Sequence, residues 1–190
     1  MLWVNTGTLA FVIDFAAAGL GLPYGTVRLV RADAEWANIA RHLAAEISAV
    51  LGDVALDVEH IGSTAVPGLL AKPIVDLALA LPQGTDVGKI AEPLSGLGWI
   101  YRGDMGDHGG WVFVLDDSPW HRVAHVHGVV SGGSQWVRYL QFRDLLRRSA
   151  AARKSYEDVK ERLAALYHDA RDRYTAGKDA TVQLLLATSE

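Results

Sequence analysis

The run Pro73-Ile74-Val75-Asp76-Leu77-Ala78-Leu79-Ala80-Leu81 constrains the fold more than any other stretch of the chain. Strand side chains alternate between two faces, so Val75, Leu77, Leu79 and Leu81 share one wholly aliphatic side. Ile74, Asp76, Ala78 and Ala80 share the other. A strand that is apolar on both sides must be covered on both, which places it inside a sheet with helices against it. Asp76 breaks the pattern: a carboxylate in such a strand is costly unless it is paired, hydrogen-bonded or bound to metal.

Helical periodicity supplies the cover. Asp33 is a suitable N-cap, and Trp36, Ile39, Ala40, Leu43, Ile47 and Val50 fall on one face of a helix that Gly52 closes. Val54, Leu56, Val58 and His60 alternate as one side of a strand before the central one. After it, Val87–Leu97 reads as a short helix and Trp99–Arg102 as a strand. Gly103–Gly110 reads as a turn, Trp111–Leu115 as a strand, Asp116–Pro119 as a turn and Arg122–Val130 as a further strand. On that last strand His121, Val123, His125, His127 and Val129 share a face. From Ser134, a plausible N-cap, the chain is helical, with Trp136, Tyr139, Leu140, Phe142, Leu145 and Leu146 at apolar positions. Two Tyr-x-x-x-Lys spacings, Tyr156 to Lys160 and Tyr174 to Lys178, each set an aromatic and a cation on one helical face, a pattern read as packing. The expected architecture is α+β: a mixed β-sheet of four to five strands flanked by helices, with a C-terminal helical section.

Composition narrows the class. The 190 residues carry no cysteine, which excludes disulfides and thiolate zinc sites and suits a reducing, cytoplasmic compartment. The net charge of −4 argues against a nucleic-acid partner. It is uneven, however: residues 134–190 hold 11 of the 18 Lys/Arg but 8 of the 22 Asp/Glu, so the helical end is basic and can attract a phosphorylated ligand. The apolar stretch Leu9–Leu22 contains Asp14 and is too short to span a bilayer, and no cation precedes Arg28, so neither a membrane anchor nor a secretory leader is expected. The sequence sets no oligomeric state.

Chemistry concentrates between residues 59 and 76. Gly62-Ser63 follows a strand, and a glycine turn brings backbone N–H groups close to an anion. Twelve residues separate Ser63 from Asp76. That spacing resembles the nucleotidyltransferase superfamily, in which a Gly-Gly/Ser turn precedes a strand carrying Asp-x-Asp/Glu. The fuller pattern is more specific. Glu59-His60-Ile61-Gly62-Ser63-Thr64-Ala65-Val66-Pro67-Gly68, then Ala71-Lys72-Pro73-Ile74-Val75-Asp76, resembles the signature of the GrpB family, as do Tyr101-Arg102-Gly103, His125-Val126-His127 and Phe142-Arg143-Asp144-Leu145-Leu146-Arg147. The resemblance covers roughly residues 26–188 and implies a nucleotidyltransferase-like fold. It therefore divides the chain into an N-terminal extension over residues 1–25 and one domain over 26–190, with 133–190 a helical tail packed on it.

In the superfamily two carboxylates on one strand face hold a divalent ion, because charge on phosphoryl oxygens must be neutralised by hard cations. Here Ala78 stands where the second carboxylate belongs. His125 and His127 offer a substitute and, with Asp76 and in the wider set His60 as a third histidine, make a ligand set suited to Zn²⁺, Mn²⁺ or Fe²⁺ better than Mg²⁺. Asp76 is thus the candidate catalytic residue. Asp76, His125 and His127 are the candidate ligands of a divalent metal (Mg, Mn or Zn), and His60, Gly62, Ser63, Lys72 and Arg102 the candidate phosphate contacts. The structural alternatives are an Asp76 ion pair with Lys72 or Arg102, histidines serving the core or touching substrate, and a Ser63 that caps its turn. Arg143, Asp144 and Arg147 are read as structural. The expected ligand is a nucleotide or other small molecule. Three functions fit: metal-assisted nucleotidyl or phosphoryl transfer to a small acceptor, non-catalytic ligand binding in the same cleft, or another enzyme class reusing Asp76 and the histidines.

Overall fold

The computed structural model describes residues 13–104 and 110–188. In chain order the strands are β1 (Leu22–Pro23), β2 (Val30–Arg31), β3 (Asp57–Ile61), β4 (Leu70–Ala71), β5 (Val75–Leu81), β6 (Ile100–Asp104), β7 (Trp111–Ser118) and β8 (His121–Val130). The α-helices are α1 (Ala34–Leu51), α2 (Gly88–Gly96), α3 (Ser134–Arg148), α4 (Ala150–Leu166), α5 (Arg171–Ala176) and α6 (Asp179–Ala187).

The main sheet runs β3-β5-β8-β7-β6, with β1 paired to the start of β8. Only the β5–β8 pairing in it is parallel, so the sheet is mixed, as the sequence implies. β5 lies between two neighbours and is covered on both sides. Its aliphatic face joins Trp36, Ile39, Leu43 and Ile47 of α1 and Ile90 and Leu94 of α2 in the main core. On the opposite face, Ala78 and Ala80 lie with Ile61 and Val129 beneath Trp136, Tyr139 and Leu140 of α3. The small side chains there let α3 approach. The helical tail makes a second core of its own, where Leu145, Leu146, Ala152 and Tyr156 close over Val66 and Leu69 just after the Gly62-Ser63 turn.

α1 forms as its sequence indicates. Asp33 is extended, and its carboxylate accepts from the Glu35 N–H at 2.8 Å. The buried face runs from Trp36 through Ile47 to Leu51, not Val50, because the next contact on this face comes four residues after Ile47. β3 begins only at Asp57: Val54 belongs to a short 3-10 turn and Leu56 is exposed, so the alternation read across them is not a strand face. β7 continues through Asp116, Asp117 and Ser118, since Asp116 and Ser118 pair with Arg122 and His121 of β8, and the turn tightens onto Pro119-Trp120, with Trp120 at φ 64. Gly133, not Ser134, occupies the cap position of α3.

Residues 13–24 are tied to this frame. Leu20 and Leu22 are buried, the Trp36 indole N–H donates to the Ala18 carbonyl at 2.8 Å, and the Gly21 N–H donates to the Pro73 carbonyl at 2.7 Å. Leu9–Val12 and most of the turn expected over Gly103–Gly110 lie outside the described residues. Among the described residues no helix is long and apolar enough to cross a membrane.

Candidate functional site

The register of two strands assembles the site. In the parallel β5–β8 pairing Asp76 lies beside His125, and Ala78 beside His127, so all three polar side chains emerge on the α3 side. His125 Nδ1 is 2.9 Å from Asp76 Oδ1, and His127 Nε2 is 3.8 Å from the same oxygen. Tyr139 of α3 stacks its ring 5.5 Å from that of His127. Asp76 keeps 29% of its side-chain surface and His127 26%, so a ligand can reach both.

Burial by itself raises the Asp76 carboxyl, but the two imidazoles beside it outweigh that and hold it well below the ordinary carboxylate value. Burial lowers His125, against the opposing pull of Asp76. The hydrogen bonds identify its tautomer. A guanidinium only donates, and Arg122 Nη1 lies 3.2 Å from His125 Nε2, so Nε2 accepts and Nδ1–H donates to Asp76. Arg122 is itself held by Asp116. Asp76 is therefore paired with histidine, not with Lys72 or Arg102.

Gly62 brings the turn against this carboxylate. It has φ 70, in the left-handed region, and a Cβ added there would stand 2.8 Å from Asp76 Oδ2. Ser63–Ala65 then makes one 3-10 turn, clamped from α3: Arg147 Nε donates to the Ala65 carbonyl at 3.0 Å, and Arg143 Nη1 donates to the His60 carbonyl at 3.2 Å. Arg143 also holds Glu59 at 2.6 Å. Glu59 pairs across the strands with Ala78, so the neighbouring strand does bring a second carboxylate to this face, but it is spent on a guanidinium.

The expected phosphate contacts divide. Ser63 Oγ lies 3.2 Å from Nζ of Lys160, which also donates to the Leu70 carbonyl. Lys72 is close by; burial and the charge of Lys178 push it down to about 7 while Asp76 opposes them, and its ammonium lies 5.4 Å from the Tyr174 ring centre. His60 pairs with Leu77, on the opposite side of the sheet from Asp76, and its Nε2 lies 2.9 Å from Thr64 Oγ1. Burial lowers it to about 4, against the pull of Asp76, so it braces the turn as a neutral ring. Arg102 is exposed on the edge strand β6, with β7 and β8 between it and β5. Lys160, Arg122 and Glu59 are not among the site residues expected from sequence. Lys160 did carry a signal, its Tyr156 spacing, and the ammonium lies 4.5 Å from that ring centre.

The donor set can be tested against a metal. One carboxylate oxygen and two imidazole nitrogens, from Asp76, His125 and His127, lie within 4.8 Å of one another. This fits a borderline ion such as Zn²⁺ or Mn²⁺, and fits poorly with Mg²⁺, which requires oxygen ligands. To ligate through Nδ1, the nitrogen facing Asp76, His125 must move its proton to Nε2, where it meets the Arg122 N–H. Arg122 therefore opposes ion binding.

The chain matches the family model described as GrpB protein over residues 26–188. A UPF0157 protein of Pseudomonas aeruginosa is 39% identical over 165 residues, which cover 84% of this chain and 66% of that protein. The chain thus spans just under two thirds of that relative's length. A dephospho-CoA kinase of Mycobacterium leprae is 30% identical over 182 residues, covering 78% of this chain and 44% of the kinase. The crystal structure of the conserved protein GrpB from Enterococcus faecalis superposes with a TM-score of 0.73 at 28% identity, covering 85% of this chain and 99% of that one.

Proposed function

The chain belongs to the GrpB family, and from that premise we propose that it is a metal-dependent transferase moving a nucleotidyl or phosphoryl group to a small acceptor. The observation that carries this reading is the convergence of Asp76, His125 and His127 within 4.8 Å beside the Gly62-Ser63 turn. A divalent ion held by these three residues would supply positive charge for the phosphoryl oxygens. Gly62 lets the turn lie against Asp76, its backbone N–H groups are available to a phosphate, and Ser63 offers its hydroxyl. Lys72 adds a cation beside the carboxylate. Arg122 orients His125, and Tyr139 closes the site from above.

Thermal-shift measurements with Mg²⁺, Mn²⁺ and Zn²⁺, each with and without nucleoside triphosphates, test the reading. It expects Mn²⁺ or Zn²⁺ to raise the midpoint, a triphosphate to raise it further, and Asp76→Ala to abolish the metal's gain and the part of the triphosphate's gain that depends on metal. Triphosphate stabilisation that no metal increases and that Asp76→Ala leaves unchanged points instead to a binding protein in the same cleft. No response to any triphosphate overturns the nucleotide reading.

A further inference from the structure

Three lysine ammoniums from separate parts of the chain gather beyond the Asp76 cluster. Lys72 comes from the segment between β4 and β5, Lys160 from α4, and Lys178 from the turn between α5 and α6. Lys160 is 1% exposed. Its ammonium reaches Ser63 Oγ, the Leu70 carbonyl and the Tyr156 ring. Lys72 and Lys178 share a single ring: their nitrogens stand 5.4 and 4.9 Å from the centre of Tyr174, which is itself buried. Burial and the charge of Lys178 push both Lys72 and Lys160 down to about 7.

The nearby carboxylates do not neutralise this group. Glu157 is taken up by Arg31 at 2.5 Å and by the Leu70 N–H at 2.8 Å. Asp172 and Asp76 favour the charged form of Lys72 but are outweighed by burial and Lys178. Among the described residues none of the three ammoniums has a salt bridge, whereas exposed Lys154 has one to Asp158. Arg171, which further disfavours charge on Lys72, is bound to the Thr26 and Pro23 carbonyls. Three lysines confined around two tyrosines disfavour one another's charge at low dielectric, a cost that a bound polyanion removes.

We propose that Lys72, Lys160 and Lys178 form a pocket for the oligophosphate tail of the ligand, running from Ser63 into the helical section. A lone phosphate or carboxylate can satisfy the Lys160–Ser63 end but leaves the Tyr174 pair uncompensated. A chain of two or three phosphates supplies anionic oxygens to both. Lysines suit this role because each contributes a point charge with rotatable donors and no fixed fork. The two Tyr-x-x-x-Lys spacings then have one function: each tyrosine seats the ammonium that follows it. The inference rests on the reading of the cleft as a phosphate site, but does not require the metal.

Calorimetric titration with inorganic triphosphate in EDTA at low ionic strength tests it. The expected result is saturable binding to the wild type, with orthophosphate at least about tenfold weaker. Lys178→Met, a half-buried position, is expected to weaken triphosphate by about tenfold or more, and Lys160→Met likewise. Lys154→Met, equal in charge change, is expected to leave it unaltered. Triphosphate that fails to bind the wild type, or binds Lys178→Met and Lys160→Met as tightly as wild type, overturns the pocket. A parallel Mn²⁺ titration of the same proteins, stripped of metal and transferred to EDTA-free buffer, separates the two claims. If Mn²⁺ binds and triphosphate does not, the pocket is wrong and the metal site stands. If triphosphate binds and Mn²⁺ does not, the pocket stands and the transfer reading falls.

Discussion

The two faces of β5 divide its seven residues, four to one and three to the other, and do opposite things. Toward α1 and α2, Val75, Leu77, Leu79 and Leu81 have essentially no exposed surface and join the main apolar core. Toward α3, Asp76 stays partly open and is held by two histidines of the adjacent parallel strand, above fully buried Ala78 and Ala80. One face stabilises through area removed from water. The other spends that opportunity, since a carboxylate and two imidazoles in this position gain little unless a ligand repays them. Adjacent residues of one strand can thus serve stability and binding separately, because the sheet keeps the two environments apart.

Substitutions on each face should separate these roles. Leu77→Ala is expected to cost about 2–5 kcal/mol in chemical denaturation, the range for a large-to-small change in a close-packed core, while leaving metal affinity of the folded fraction as in wild type. Gly62→Ala should breach the separation. It forces a Cβ into a left-handed backbone at a cost of about 1–3 kcal/mol and pushes on Asp76, so both the unfolding midpoint and metal binding should fall. Unchanged metal affinity in this variant would show that the turn does not position the carboxylate.

Acid should sharpen the contrast through His60, which lies on the apolar side. Its pKa is about 4 when folded and near the ordinary 6.5 when unfolded. Between these values the unfolded chain binds the extra proton, so this contribution is fully present above pH 6.5 and is lost as pH falls through 6.5 toward 4. Denaturation as a function of pH should show that loss in the wild type and a reduced slope in His60→Asn. The smallest expected effect is a gain. Arg122→Gln removes the donor that holds the proton on His125 Nδ1, and should raise transition-metal affinity by about tenfold, within the range of second-sphere effects, with little change in midpoint. A fall in affinity would mean that Arg122 supports the ligand instead of competing with the ion.

The sequence exposed the two faces of β5 unequally. The aliphatic face, the α1 cover and the helical tail follow from periodicity, because burial of apolar area depends mainly on spacing. Asp76, Gly62 and the histidine pair were visible because they break or interrupt that periodicity. The sequence groups Asp76 with the two histidines by residue type, but the register that joins them is not in it: the parallel alignment of β5 with β8 brings Asp76 to His125, and the antiparallel alignment with β3 sets Glu59 opposite Ala78. Arg122 and Lys160 act through contacts made 3 and 97 residues away in the chain, one along β8 and the other from α4 back to the Gly62-Ser63 turn. Arg102 shows the converse: a suggestive local motif whose strand ends at the sheet edge, away from the carboxylate.

The central claim is that Asp76, His125 and His127 form one metal-binding unit, and calorimetric titration of the metal-free protein with Zn²⁺, Mn²⁺ and Mg²⁺ tests it most directly. The account predicts one Zn²⁺ or Mn²⁺ per chain, far weaker Mg²⁺, and loss of the site in both Asp76→Ala and His127→Ala. Equal binding by wild type and His127→Ala, or no binding of any of the three ions, would contradict it.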